Sequence, residues 1–296
     1  MTSRLKADFG LVLCALLWGG TFVMVQSALA QASVFAFLAV RFSLAAAVLA
    51  IIYRANLRKL SRADFRAGGQ IGVLMFGGYV FQTAGLLYTT SSKTAFITGF
   101  GVVLVPIFMA VFWRRPIRPV VAVGALIALA GLYCLTVPLA GMRELNRGDL
   151  LVMVCSVLFA LHLILIWHYS PQHSLGALSF LQVAATAALS LAALPVLAVT
   201  AWEPPRIEFS TEMMVTILAT AVLATALAFS VMVWAQRHTS PAHAALILSL
   251  EPVFAALTSF FALHERLGLR ALAGAALILA GIVVAELKRP PEQVAG

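Results

Sequence analysis

Ten apolar stretches, each close to the length of a bilayer-crossing helix, are parted by short charged or Pro/Gly-rich gaps, and they restrict this 296-residue chain more than any other feature. A helix rises about 1.5 Å per residue, so roughly 20 apolar residues cross a hydrocarbon layer about 30 Å thick. Cut at the gaps, the sequence gives segments 8–28, 33–53, 67–89, 91–113, 118–138, 149–168, 174–200, 210–236, 240–262 and 268–287. Lipid offers no partner to a backbone N–H or C=O, so each segment must close its hydrogen bonds on itself as a helix. The predicted fold class is therefore an all-α polytopic membrane protein of ten transmembrane helices. The third and fourth spans are the least clearly parted, since only small polar residues and Lys93 lie between them.

Composition agrees with the pattern: 62% of residues are hydrophobic and 10% charged, with a mean hydropathy of +1.01. A soluble domain does not need that much apolar surface. The net charge of +9 does not point to nucleic acid, because the basic residues sit in the gaps and form no continuous face. Their distribution instead gives an orientation. With a cytoplasmic N-terminus, thirteen basic residues fall in cytoplasmic gaps: Arg4, Lys6, Arg54, Arg58, Lys59, Arg62, Arg66, Arg114, Arg115, Arg118, Arg237, Lys288 and Arg289. Six fall opposite: Lys93, Arg143, Arg147, Arg206, Arg266 and Arg270. The positive-inside rule then predicts a multi-pass protein of the inner (plasma) membrane with both termini cytoplasmic. The first apolar run is too long for a signal-peptide core and has no A-x-A site, so it is expected to be a retained span. Cys14, Cys134 and Cys155 lie inside apolar runs without metal-ligand or disulfide spacing, so no metal and no cofactor is expected.

The chain also repeats itself. Thr89 to Leu135 can be laid on Thr239 to Ala285 at an offset of about 150, equating Ala95 with Ala245, Ile97 with Ile247, Val103 with Val253, Gly124 with Gly274 and Gly131 with Gly281. At an offset of about 141, Asp8 meets Asp149, Cys14 meets Cys155 and Arg41 meets Gln182. Two halves are thus predicted, residues 1–140 and 141–296, with five spans each. An odd number of spans per half reverses the second half in the membrane, giving two inverted five-helix repeats. That is an arrangement in which a midplane site can be exposed to either side in turn. The glycines recurring on one face of spans five and ten are read as close helix packing.

Within this frame the run Thr239-Ser240-Pro241-Ala242, the stretch through Glu251-Pro252 and the segment Leu263-His264-Glu265-Arg266-Leu267 resemble the second repeat of the EamA family, in the drug/metabolite transporter superfamily. Leu38-Ala39-Val40-Arg41-Phe42 and Tyr88-Thr89-Thr90-Ser91-Ser92-Lys93 extend the resemblance into the first repeat. It implies ten helices in two inverted repeats and transport of metabolites such as amino acids; one branch of the family exports aromatic amino acids. The chain departs from the pattern at His264, where glycine is usual, and at Val102 and Arg115, which stand where the second half has Pro252 and Glu265.

Polar groups at mid-membrane depth are costly, so those present need a reason. Glu251 is the sharpest case: a central carboxylate costs roughly 2.5–3.5 kcal/mol on insertion scales, and it must face protein or water. Pro252 beside it, in a continuous helix, would leave a carbonyl one turn earlier unpaired. Trp18, followed by Gly19-Gly20, marks a place where a ligand or another helix can approach the backbone. Tyr79 and Gln82, three residues apart, share a helix face and offer an aromatic surface beside an amide. His162 is either a cavity residue or an interhelical hydrogen-bond partner. Arg41, always charged, requires a partner or a water-filled pocket. Trp18, Tyr79, Gln82, His162 and Glu251 are the candidate substrate-binding residues, and Arg41 and Glu251 the candidates for gating or coupling. Lys93 and His243, equivalent in the two halves, lie near helix starts, where they could meet an anion or reach the interface.

No H-E-x-x-H, Walker A or G-x-S-x-G motif occurs and no hydrophilic segment could house a soluble catalytic domain, so no catalytic residue is assigned. The expected function is export of small metabolites, amino acids foremost, through a central cavity by alternating access. A carrier of drugs, sugars or nucleotide derivatives and, further off, a membrane transferase using Glu251 and His162 are the alternatives; a channel fits inverted repeats less well.

Overall fold

The computed structural model describes residues 2–137, 145–200, 204–263 and 268–286. His264, Glu265 and Arg266 lie outside the described residues, as do Arg143, Glu144, Trp202, Glu203, Lys288 and Arg289. The helices are α1 (Ser3–Ala28), α2 (Val34–Ile52), α3 (Arg54–Leu57), α4 (Arg62–Gly85), α5 (Ser91–Gly99), α6 (Gly101–Phe112), α7 (Pro119–Thr136), α8 (Arg147–Tyr169), α9 (Leu175–Thr200), α10 (Thr211–Leu218), a π-helical segment (Ala219–Leu227), α11 (Ala228–Ala235), α12 (Pro241–Leu248), α13 (Glu251–Leu263) and α14 (Leu269–Glu286). Their starts are written in the sequence. Ser61 with Asp64, and Asn146 with Asp149, form reciprocal capping boxes at the heads of α4 and α8, so donors left open by the first turn are satisfied.

Eight helical stretches among the described residues are long and apolar enough to cross a membrane: α1, α2, α5 with α6, α7, α8, α9, Thr211–Ala235 and Pro241–Thr258. The other two expected segments are helical as well. α4 has 24 residues, but its charged first turns and six glycines lower its hydropathy; α14 is apolar over the slightly shorter stretch Leu269–Ala285.

Two expected continuous spans are broken, which corrects the reading of a single helix through Glu251. The segment 240–262 divides at Ser249-Leu250, and 91–113 divides at Phe100. Glu251 and Pro252 therefore open α13, where the first N–H groups have no intrahelical acceptor, so a proline there removes no intrahelical hydrogen bond. The third irregularity is the π-helical segment, whose wider turn brings Thr225 Oγ1 onto Thr220 O, five residues back, at 2.8 Å.

Contacts sort the loops into two sets. In one, His173 Nδ1 lies 2.7 Å from Asp64 Oδ1, Arg237 donates to His173 O at 2.6 Å, and Trp113 packs on His168. In the other, Ser33 N donates to Arg206 O, Ser91 bonds Gln26, and Arg270 donates to Val137 O. Most of the basic residues of the gaps belong to the first set.

α7 and α14 pack face to face through glycine. A Cβ built on Gly124 would stand 2.6 Å from Gly281 O, and one on Gly131 would stand 2.6 Å from Gly274 O. Rising numbers on one helix meet falling numbers on the other, so the two run antiparallel at backbone contact. α4 lies against α8 and α9 as α1 and α2 lie against the 211–235 helix.

Candidate functional site

The six residues singled out by depth, Trp18, Arg41, Tyr79, Gln82, His162 and Glu251, all line one cavity. Their helix faces bring them together. α1 supplies Trp18, α2 Arg41, α4 Tyr79 and Gln82, α8 His162, and the break between α12 and α13 supplies Glu251. The lining continues to Val25, Leu86 and Ala95, near the end that carries Ser91 and Gln26.

Aromatic rings form much of the wall. Tyr79 meets Phe42 and Phe159 edge-on at 5.0 and 5.2 Å between centroids, Phe229 packs on Trp18 at 5.3 Å, and His162 stands edge-on to Phe229 at 5.7 Å. These contacts hold the rings in fixed orientations, as aromatic pairs prefer. The polar edge of each residue is engaged in its own way. Trp18 Nε1 donates to Ala224 O at 2.8 Å, within the π-helical segment. Gln82 Nε2 donates to Thr98 Oγ1 at 3.4 Å. His162 Nε2 lies 3.0 Å from Gln182 Oε1 on α9, so the interhelical contact coexists with a place on the cavity wall.

Arg41 is 3% exposed. Its Nε donates to Thr225 Oγ1 at 3.0 Å, its Nη2 to the Tyr79 hydroxyl at 3.4 Å, and the guanidinium lies over the Tyr79 ring at 4.8 Å. The guanidinium is held by a hydroxyl, a phenol and π-faces; no carboxylate is paired with it among the described residues. Glu251 is half-buried, and its carboxylate makes no hydrogen bond or ion pair with a described residue. Gly19 explains how α1 reaches this place: a Cβ there would lie 2.4 Å from Glu251 O and 2.8 Å from Ala255 N. The second helix, and not a ligand, uses that gap.

Lys93 and His243 each meet an aspartate. Lys93 Nζ lies 3.2 Å from Asp149 Oδ2, and His243 Nε2 lies 3.0 Å from Asp8 Oδ1. Thr89 completes the first cluster, donating to Asp149 Oδ1 at 2.6 Å, whereas the equivalent Thr239 hydroxyl is buried without a hydrogen-bond partner among the described residues. The first cluster ties the head of α5 to α8, and the second ties the head of α12 to α1.

The family model for EamA-like transporters matches this sequence twice, over residues 5–137 and 146–287. The chain belongs to the EamA-like transporter family. A protein of Archaeoglobus fulgidus described as an uncharacterized transporter is 38% identical over 290 residues, covering 96% of this chain and 87% of its own. A second from the same organism, with the same description, is 23% identical, covering 96% and 98%. A solved crystal structure superposes with a TM-score of 0.79 over 96% of this chain and 97% of its own; at 20% identity it speaks for the fold. These matches make the chain a multi-pass membrane transporter.

Within this EamA-family cavity, several contributors escaped sequence reasoning. Thr225 and Ala224 O contact Arg41 and Trp18 only because the helix widens there. Phe159 and Phe229 read as ordinary apolar residues, and Gln182, equivalent to Arg41, is legible only through the offset of 141.

Proposed function

We propose that the chain exports small metabolites, amino acids first among them, across the plasma membrane by alternating access through the central cavity. The observation that carries this reading is a single aromatic cavity built by both halves, with a cation and a carboxylate on its wall. Such a site is apolar in bulk and presents a few polar groups that orient a small solute.

Ten crossings, cytoplasmic termini and two inverted halves, residues 1–140 and 141–296, belong to the same proposal. In its support, the sequence equates Gly124 with Gly274 and Gly131 with Gly281, while the packing joins Gly124 to Gly281 and Gly131 to Gly274. That exchange is what an in-plane two-fold axis produces. The clusters Asp149–Lys93 and Asp8–His243 obey the same exchange, and the double family match falls on the two halves. With cytoplasmic termini, the cavity lining reaches toward the extracytoplasmic face.

The test is counterflow in proteoliposomes containing the purified chain. Aromatic, aliphatic and charged amino acids are compared with sugars, nucleotide derivatives and cationic drugs. Saturable exchange of amino acids, recovered chemically unchanged, is the expected result. Exchange confined to another class removes the amino-acid reading, and covalent conversion of the solute removes the carrier reading.

A further inference from the structure

We infer that the cavity docks its solute by two opposite charges, an anionic group on Arg41 and an ammonium on Glu251, so that the solute it selects is a zwitterion with an apolar body. The inference rests on the carrier reading above and assigns to Arg41 a direct contact with the solute.

Arg41 is the more telling of the two. A guanidinium has five N–H donors, and two hydrogen bonds account for Nε and one N–H of Nη2. Nη1 has no partner among the described residues, yet it belongs to a side chain 97% buried that lines the cavity. A cation buried without a counter-charge is expensive. Thr225 and Tyr79 fix the plane of the fork and leave Nη1, on a residue that lines the cavity, available to a carboxylate. Glu251 presents the complementary case: a carboxylate on the same cavity with no protein donor, held where Gly19 lets α1 press against the α12–α13 break. Tyr79 lines the cavity together with Arg41 and Glu251, so the two charges act on one shared space.

The two groups are not paired with each other. A monoanion would satisfy Arg41 and leave Glu251 uncompensated; a monocation would do the reverse. A zwitterion compensates both and enters a low-dielectric site with no net charge, which is the least costly way to occupy it. Its apolar portion meets the faces of Trp18, Phe159 and Phe229.

The experiment measures binding of three ligands with one body to the purified full-length protein: L-phenylalanine, L-phenylalaninamide, which lacks the carboxylate, and 3-phenylpropionate, which lacks the amine. Loss of one charge-assisted contact should weaken binding about 10- to 100-fold, so both analogues should bind that much more weakly than phenylalanine. Arg41→Gln should reduce phenylalanine to the affinity of the amide and leave the amide unchanged; Glu251→Gln should do the same relative to 3-phenylpropionate. The wild-type series needs no variant, so a misfolded Arg41→Gln protein does not rescue the inference. Equal affinities for the three, with saturable exchange of phenylalanine retained, overturn two-charge docking and leave amino-acid transport standing. Absence of binding by all three, with exchange of a sugar or a cationic drug, overturns both.

Discussion

Replacing Gly19 by alanine adds one methyl group at the closest approach of α1 to the broken span. The new Cβ would stand 2.4 Å from Glu251 O, 2.8 Å from Ala255 N and 2.9 Å from Phe254 Cβ. Two of these neighbours are backbone, so no rotamer change relieves the overlap. Restoring an ordinary contact of about 3.4 Å requires α1 and α13 to part by roughly 1 Å, and overpacking of this kind costs about 1–3 kcal/mol. Trp18 and Glu251 ride on those two helices, and a displacement of about 1 Å at a binding constellation can reduce turnover by about 100-fold. Gly20 supplies the control. Its nearest neighbour is Thr258 Oγ1 at 3.8 Å, an ordinary contact, so Gly20→Ala should leave both properties within about 0.5 kcal/mol of wild type. Thermal stability in detergent and initial exchange rates in proteoliposomes read the two effects separately. Equal behaviour of Gly19→Ala and Gly20→Ala would refute the reasoning.

The same geometry bears on α7 and α14: Gly131→Val should destabilise the chain by about 1–3 kcal/mol, since Gly274 O and Ile278 N lie 2.6 and 2.8 Å from the added Cβ, and unchanged melting would deny that contact. At the head of α4, ahead of the segment proposed to cross the membrane, burial tends to raise the Asp64 carboxyl, but the hydrogen bonds from the Ser61 side chain and backbone and the contact with His173 outweigh it and hold the group below its ordinary value of about 4. Its stabilising effect is therefore complete above about pH 4 and is lost as pH falls through the lower folded-state value. Asp64→Asn should cost about 0.5–2 kcal/mol at neutral pH and flatten the acid limb of the stability profile; a profile parallel to wild type would contradict this.

Hydropathy and charge made the all-helical, membrane-spanning character legible, because length, apolarity and the placement of Lys and Arg are properties of the linear sequence. The cavity residues were legible for a related reason. Polar groups such as Arg41, Gln82 and Glu251 are rare at mid-span, and helical spacing alone puts Tyr79 and Gln82 on one face. The breaks at Phe100 and Ser249-Leu250 were hidden because a hydropathy average stays high across them. Pro252 read as a mid-helix proline that would leave a carbonyl unpaired, and instead it lies in a first turn. The π-helical segment Ala219–Leu227 contains neither proline nor glycine, so only the tertiary contacts of Trp18 and Arg41 disclose the value of the extra residue. The aspartate clusters were half visible: the repeat equated Asp8 with Asp149 and Lys93 with His243, but only the fold joins aspartate to base.

The central claim is one solute cavity opened alternately to the two sides, and single-cysteine accessibility measures it most directly. Cys14, Cys134 and Cys155 carry no disulfide and are first replaced by serine or alanine. Cysteines are then placed singly at Trp18, Tyr79, Gln82 and Glu251. Each should react with a membrane-impermeant thiol reagent applied from either side of the vesicle, and saturating amino acid should protect all four. Uniform inertness, or labelling from one side only that no solute alters, would contradict the account.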